Sequence, residues 1–126
     1  MVESSVKELA KGPNFGAFTT LFPGEKPSTH IMWVDADDEH LLINTEIHRA
    51  KYKNVKRDPR VALAIWNKDN PYAYAEVRGE VVGEVRGDEA RKHIDDLSMK
   101  YNGSPYANRI QSERVILKIR PDRQRG

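Results

Sequence analysis

The amino-acid sequence predicts a mostly β domain of six antiparallel strands, curled into a small barrel with peripheral helices. Three observations predict it. Short alternating or wholly apolar runs recur between turns rich in Gly, Pro, Asn and Asp. The long run 73–87 carries Gly79 and Gly83, which mark the bends or bulges that curl a sheet. Helical periodicity is confined to three segments. At 126 residues there is room for one core, so residues 1–126 are expected to form a single domain without repeat or linker.

Each element has a local cause. Residues 4–11 read as a short helix capped by Ser4 or Ser5, with Val6, Leu9 and Ala10 inward and Gly12-Pro13 as the stop. "GAFTTLF" (16–22) and "STHIMWVD" (28–35) read as a hairpin about the turn "PGEKP", and "LLINT" (41–45) as the third strand. "RVALAIWN" (60–67) is apolar on both faces, with Val61, Leu63 and Ile65 on one and Ala62, Ala64 and Trp66 on the other, so it is expected to be central. Residues 73–87 alternate, with one face buried and one wet. "DEARKHIDDLSMKYNG" is the clearest helix, with Asp88 as cap, a stripe of Ala90, Ile94, Leu97 and Tyr101, and Asn102-Gly103 as terminator. "RVILKI" (114–119) is the last strand, and the tail 121–126 is expected to be mobile.

Composition excludes several classes. A net charge of +2, from 21 basic and 19 acidic residues, is not that of a general nucleic-acid coat. Without cysteine there is no disulfide, thiolate nucleophile or thiolate metal site, which fits a reducing cytoplasm. No segment has the ~20 apolar residues of a membrane span or the pattern of a signal peptide. A cytoplasmic protein with no membrane partner is expected. His30, His40, His48 and His93 show no metal-ligand spacing, and no nucleophile elbow, P-loop or dinucleotide fingerprint is present. No catalytic side chain and no metal site emerge, so any chemistry is expected to come from a bound cofactor.

The strongest local signal is "NTEIHRAKYKNVKRDPRV" (44–61). Six cations, Arg49, Lys51, Lys53, Lys56, Arg57 and Arg60, fall within twelve positions, against Asp58 alone. Asp58-Pro59 must end any helix here, because the ring disfavours helical geometry in the residue before it. The helix therefore starts near Arg49, with Tyr52 and Val55 as its small apolar face. Cations in a first turn sit beside unpaired N–H groups and the positive end of the dipole, unfavourable by ~0.3–1 kcal/mol each. A docked anion reverses that sign, so the segment is a candidate phosphate site. The competing reading is a solvated basic face.

The order "FTTL…GEKP…HIMWVDADDEHLLINTEIHRAKYKNVKRDPRVALAIW…YAYAEVRGEV" resembles the pyridoxamine 5′-phosphate oxidase-like, flavin-binding split β-barrel family, and within it the deazaflavin (coenzyme F420)-dependent branch. "RAKYKNVKRDPRV" is its most specific part. The resemblance implies a six-stranded split barrel in a homodimer, with a cofactor at the interface and hydride transfer to a small, planar, electron-poor substrate. It implies phosphate contacts from Arg49, Lys51, Lys53 and Asn54, with Asn44 and Thr45 beside the ribityl chain or phosphate. His30, Met32 and Trp33 would lie against the ring, and Tyr72 or Tyr74 would reach the partner's cofactor. F420 is the expected cofactor and FMN the alternative. Lys56, Arg57, Arg60, Arg78, Arg114 and Arg120 are either a surplus for the deazaflavin's carboxylate tail or plain surface. Two other readings are a non-catalytic flavin, deazaflavin or haem carrier and, last, a nucleic-acid-binding barrel.

Overall fold

A computed structural model describes residues 1–126. In chain order the elements are α1 (Ser4–Lys11), β1 (Phe15–Phe22), β2 (Lys26–Trp33), β3 (Asp35–Ala36), β4 (Leu41–Glu46), α2 (Ala50–Arg57), β5 (Arg60–Asn67), β6 (Asn70–Arg86), α3 (Asp88–Asn102) and β7 (Arg114–Arg125). One antiparallel sheet has the order β2-β1-β5-β6-β7-β4-β3. It curls without closing: β2 and β4 come near each other but share no ladder, and this seam is the split of the barrel.

The fold is the expected split barrel, with seven strands rather than six because Asp35–Ala36 pairs separately with Leu41 and Leu42. Gly12 and Gly103 end α1 and α3, and Asp58 ends α2 as the following proline requires. In α3 the cap position is Gly87, with Asp88 in the first turn. The core joins Phe18, Leu63 and Ile65 of β1 and β5 to Leu41, Ile43, Leu117 and Ile119 of β4 and β7, closed at one end by Val6 and Ala10 and at the other by Tyr52 and Val55.

Two expectations about β6 and its neighbour come out differently. Register shifts fall between Arg78 and Gly79 and between Val81 and Gly83, which confirms the curling role of the glycines. The tail, expected to be mobile, is part of the sheet: residues 121–125 extend β7, with Arg123 opposite Arg78 and Arg125 opposite Glu76. The 17-residue β6 leaves its edge away from β5 open over residues 76–79, which receives the tail, while Pro121 is tolerated where the register slips at Gly79.

The two glycines are not equivalent. A Cβ on Gly79 would lie 2.0 Å from the Arg120 carbonyl oxygen, whereas one on Gly83 would meet only Lys118 Cδ at 3.8 Å. Gly79→Ala should therefore destabilise the protein by about 1–3 kcal/mol, the usual cost of overpacking. Gly83→Ala should stay within about 0.5 kcal/mol of the parent in urea unfolding. Equal effects would contradict the close approach of β6 and β7.

Candidate functional site

The candidate site lies beside the seam between β2 and β4. The start of α2 is electrostatically exposed: its cap Arg49 makes no side-chain cap bond and its first turn holds no acid. Backbone N–H groups of Ala50 and Lys51 find no acceptor in the chain, while Arg49 N–H donates to the Glu46 carbonyl at 3.0 Å. α2 packs its Tyr52, Asn54 and Val55 side on the barrel, and Lys51 goes with that side rather than with solvent.

Lys51 is the unusual residue here. It is only 9 % exposed, yet it makes no hydrogen bond and no ion pair with the protein. No fully buried side-chain nitrogen or oxygen lacks a partner, so its ammonium keeps contact with solvent above a buried stem. Burial first, then the charges of Arg49 and Arg114, holds Lys51 below the usual lysine range.

Arg114, at the start of β7, completes the cluster. It is buried, which pulls its pKa down. Its Nε donates to Asn44 Oδ1 at 2.8 Å, its Nη1 lies 3.5 Å from Glu46 Oε2, and its guanidinium sits 5.3 Å from the Tyr106 ring centre. Glu46 is the single carboxylate among these groups. Burial works to raise its pKa, but N–H donors from Ser112 and Gln111 at 2.8 and 2.7 Å, with the charge of Arg114, hold it below the ordinary range. It also lies 4.0 Å from Arg49 Nη2.

A shallow pocket of about 240 Å³ opens beside the cluster, lined by Ile31, Met32, Trp33, Asn44, Tyr106 and Arg114 among others. Trp33 stacks on Tyr101 at 5.1 Å and meets the Tyr106 edge at 6.3 Å. A larger groove of about 590 Å³ runs past Thr19, Ala62, Arg78 and Arg123, and holds none of the expected site residues. Its Arg60 is neutralised by Glu25 and Asp58, and its Asp122 and Glu80 by Arg120.

Of the residues expected at the site, the pocket unites Asn44, Met32 and Trp33, and Lys51 and Arg49 lie close to its Arg114. It does not unite the rest. Asn54 is a structural pin: its Nδ2 donates to Thr20 Oγ1 at 3.0 Å and its Oδ1 accepts from Arg57 Nη2 at 2.9 Å. Lys53 is exposed on the other side of α2. Thr45 is buried, one residue out of phase with Asn44, on the Ile43 face of β4. His30 is exposed on β2 outside the pocket, and Tyr72 is 89 % exposed on β6, away from it.

The outer cations divide cleanly. Lys56 pairs with Glu84, Arg57 with the Leu21 carbonyl, Arg60 with Asp58, and Arg120 with Asp122, while Arg78 lies 3.8 Å from Glu76. Arg114 alone of the six joins the site. Tyr106 and His93 carry no local signal in the sequence. His93 is not the surface residue its helix position suggests but is held between Asp35 and Asn44 at 3.0 Å each.

Removing Glu46 tests this charge balance. Glu46→Ala leaves buried Arg114 without its carboxylate and two loop N–H groups without an acceptor, and should cost about 3–5 kcal/mol in urea unfolding. Because its folded pKa is depressed, its contribution is present above the unfolded value of about 4.3 and lost as pH falls through the folded one. A variant as stable as the parent would contradict the role.

Three comparisons bear on this geometry. The family model described as pyridoxamine 5′-phosphate oxidase matches residues 2–126. No curated protein matches the chain. Among solved structures, an F420 reductase is 32% identical, with a TM-score of 0.83 and 98% of each chain covered. A conserved hypothetical protein from Mycobacterium tuberculosis is 24% identical, with a TM-score of 0.73 over 98% of this chain and 82% of that one. General stress protein 26 from Bacillus anthracis is 20% identical, with a TM-score of 0.68 over 95% and 88%. The last two share the fold. The chain thus belongs to the pyridoxamine 5′-phosphate oxidase-like split-barrel family, on the branch of the F420 reductase it matches.

Proposed function

We propose that this protein is an F420-dependent oxidoreductase that passes a hydride to a small, planar, electron-poor substrate. The observation that carries the cofactor class is Lys51, buried and unpaired between Arg49 and Arg114 beside free N–H groups. Such a cluster fits a phosphate. Lys51, Arg49, Arg114 and the amides of Ala50 and Lys51 would hold it, and Met32 and Trp33 would line the ring's side of the seam. The bound deazaflavin would supply the hydride chemistry. The chain's part is to bind, to orient and to keep water from one ring face.

The choice of F420 over FMN rests on the 32% identical reductase and not on charge. With Lys56, Arg57, Arg60 and Arg120 paired locally, few outer cations are left for a carboxylate tail. A homodimer belongs to the proposal, because a pocket of about 240 Å³ falls short of the ~300–1,000 Å³ of a typical ligand site. The outer sheet face also leaves Ile31 61 %, Tyr74 55 % and Tyr72 89 % exposed. Tyr72 would then serve the partner's site, and no membrane or nucleic-acid partner is invoked; no helix here is long and apolar enough to cross a membrane.

Titrating apo-protein with F420 and with FMN, followed by tryptophan quenching, tests the assignment: F420 should bind tighter, and comparable affinities would move it to FMN. Lys51→Ala should weaken binding of either by ~1.5–3 kcal/mol, the range for a charge-assisted hydrogen bond. It should leave apo-stability unchanged or slightly higher, since it removes a cation from the first turn. Lys53→Ala, on the other side of α2, should do much less.

The pH dependence has a definite sign. Lys51 is depressed in the apo-protein, and an anion restores its charged form. Affinity is therefore full below the depressed value and declines as pH climbs through it, before an ordinary lysine at about 10.4 would begin to lose charge. Lys51→Arg should remove the decline, because arginine stays charged. A decline that survives in Lys51→Arg would contradict the assignment.

A further inference from the structure

Behind Arg114 lies a continuous set of polar contacts that no part of the proposed reaction uses. Asn44, buried on β4, donates from Nδ2 to the Ala90 carbonyl at 3.0 Å and accepts at Oδ1 from Arg114 Nε at 2.8 Å. A carbonyl can only accept and a guanidinium can only donate, so these two partners fix which end of the amide is nitrogen. Its Nδ2 also lies 3.0 Å from His93 Nδ1. That ring nitrogen must therefore accept, which puts the proton on Nε2, 3.0 Å from Asp35 Oδ2. In this arrangement His93 is the neutral Nε2–H tautomer.

We infer that Asn44 and His93 are positioning residues that hold Arg114 in its anion-binding orientation only while His93 is neutral. A protonated His93 would set an Nδ1–H donor against the Asn44 Nδ2 donor at 3.0 Å. Turning the amide over relieves that clash, but it faces Nδ2 toward Arg114 Nε, another donor, and abandons the Ala90 carbonyl. With the amide turned over, Arg114 loses its anchor at Nε and keeps only Glu46 and the Tyr106 face. By linkage, an anion that needs Arg114 in place opposes proton uptake at His93.

The surrounding charges oppose this effect rather than mimic it. Asp35, itself bonded to Lys11 at 2.9 Å, puts a carboxylate against the His93 ring. Lys100 acts on Asp35 from the end of α3, and Glu89 and Asp96 on the same helix are exposed. His48, 3.9 Å from Glu46, lies beside the cluster and would add a cation there on protonation. Every added positive charge strengthens anion binding by simple Coulomb attraction. Weakening on acidification is therefore a signature of the Asn44 contact alone.

This inference rests on the reading of the seam as an anion site, and the test separates the two. The probe is inorganic sulfate, which stays a dianion across the range of about pH 5 to 8 in which histidines change charge. NMR of the full-length protein follows sulfate binding, the imidazole ¹⁵N shifts of His93 and the Asn44 side-chain amide. The expected result is an Nε2–H tautomer at the upper end and sulfate affinity about three- to tenfold weaker at the lower end, the range of one net hydrogen bond. Sulfate should also move the His93 titration to lower pH. His93→Asn, which leaves a non-titrating acceptor near the Nδ1 position, should flatten the profile. If that variant does not fold, the direction in which sulfate shifts the wild-type His93 titration decides. An Nδ1–H tautomer, or affinity equal or tighter at the lower end, overturns the positioning role and leaves the anion site standing. Absence of sulfate binding at both ends overturns the anion site, and this role with it.

Discussion

Three cations, Arg49, Lys51 and Arg114, lie close together, and the one carboxylate among them, Glu46, meets Arg49 and Arg114 but not Lys51. That imbalance is the constraint on which the rest of the site depends. A buried charge is ordinarily paired or shifts its pKa until it is lost. Here Glu46 answers Arg114 and touches Arg49, while Lys51 is answered by nothing in the chain. The arrangement is tolerable because the Lys51 ammonium keeps contact with solvent, and on the proposed reading an anionic ligand would relieve it.

The fold supplies what this imbalance needs. An open seam arises because β2, one edge of the curled sheet, comes near β4 without pairing to it, and β4 turns its Asn44 and Glu46 to α3 and the last loop. Glu46 ties Gln111 and Ser112 of that loop, and Asp95 ties the Tyr106 N–H at 3.0 Å, so the loop brings Tyr106 over Arg114 as a fixed wall. On the other side Asn54 and Tyr52 anchor α2 to β1 and β6, with its Lys51 close to Arg114. Interactions that look like local packing thus aim the cluster.

What the sequence made legible was local, and what it hid was not. The end of α2 at Asp58-Pro59, the curling glycines of β6 and the apolar β5 each follow from a few adjacent residues, and they are where the reading placed them. Lys51 was readable because a cation in a first turn is locally unfavourable. Asn54 was read as a ligand because its family motif sits among cations, but its partner Thr20 is 34 residues away. Arg114 looked like one more surface cation, since its partners Asn44 and Glu46 lie on a strand about seventy residues earlier. The tail defeated the reading for a similar reason: nothing in "RPDRQRG" alternates, and its strand exists because β6 is long enough to receive it.

The most direct test is a crystal structure of the protein with F420 or FMN bound. The account predicts the cofactor phosphate within hydrogen-bond reach of Lys51 Nζ and the Ala50 and Lys51 amides, with Arg114 keeping its bond to Asn44. A phosphate held instead by Lys53, Lys56 and Arg57, or lodged in the groove between Arg78 and Arg123, would contradict it.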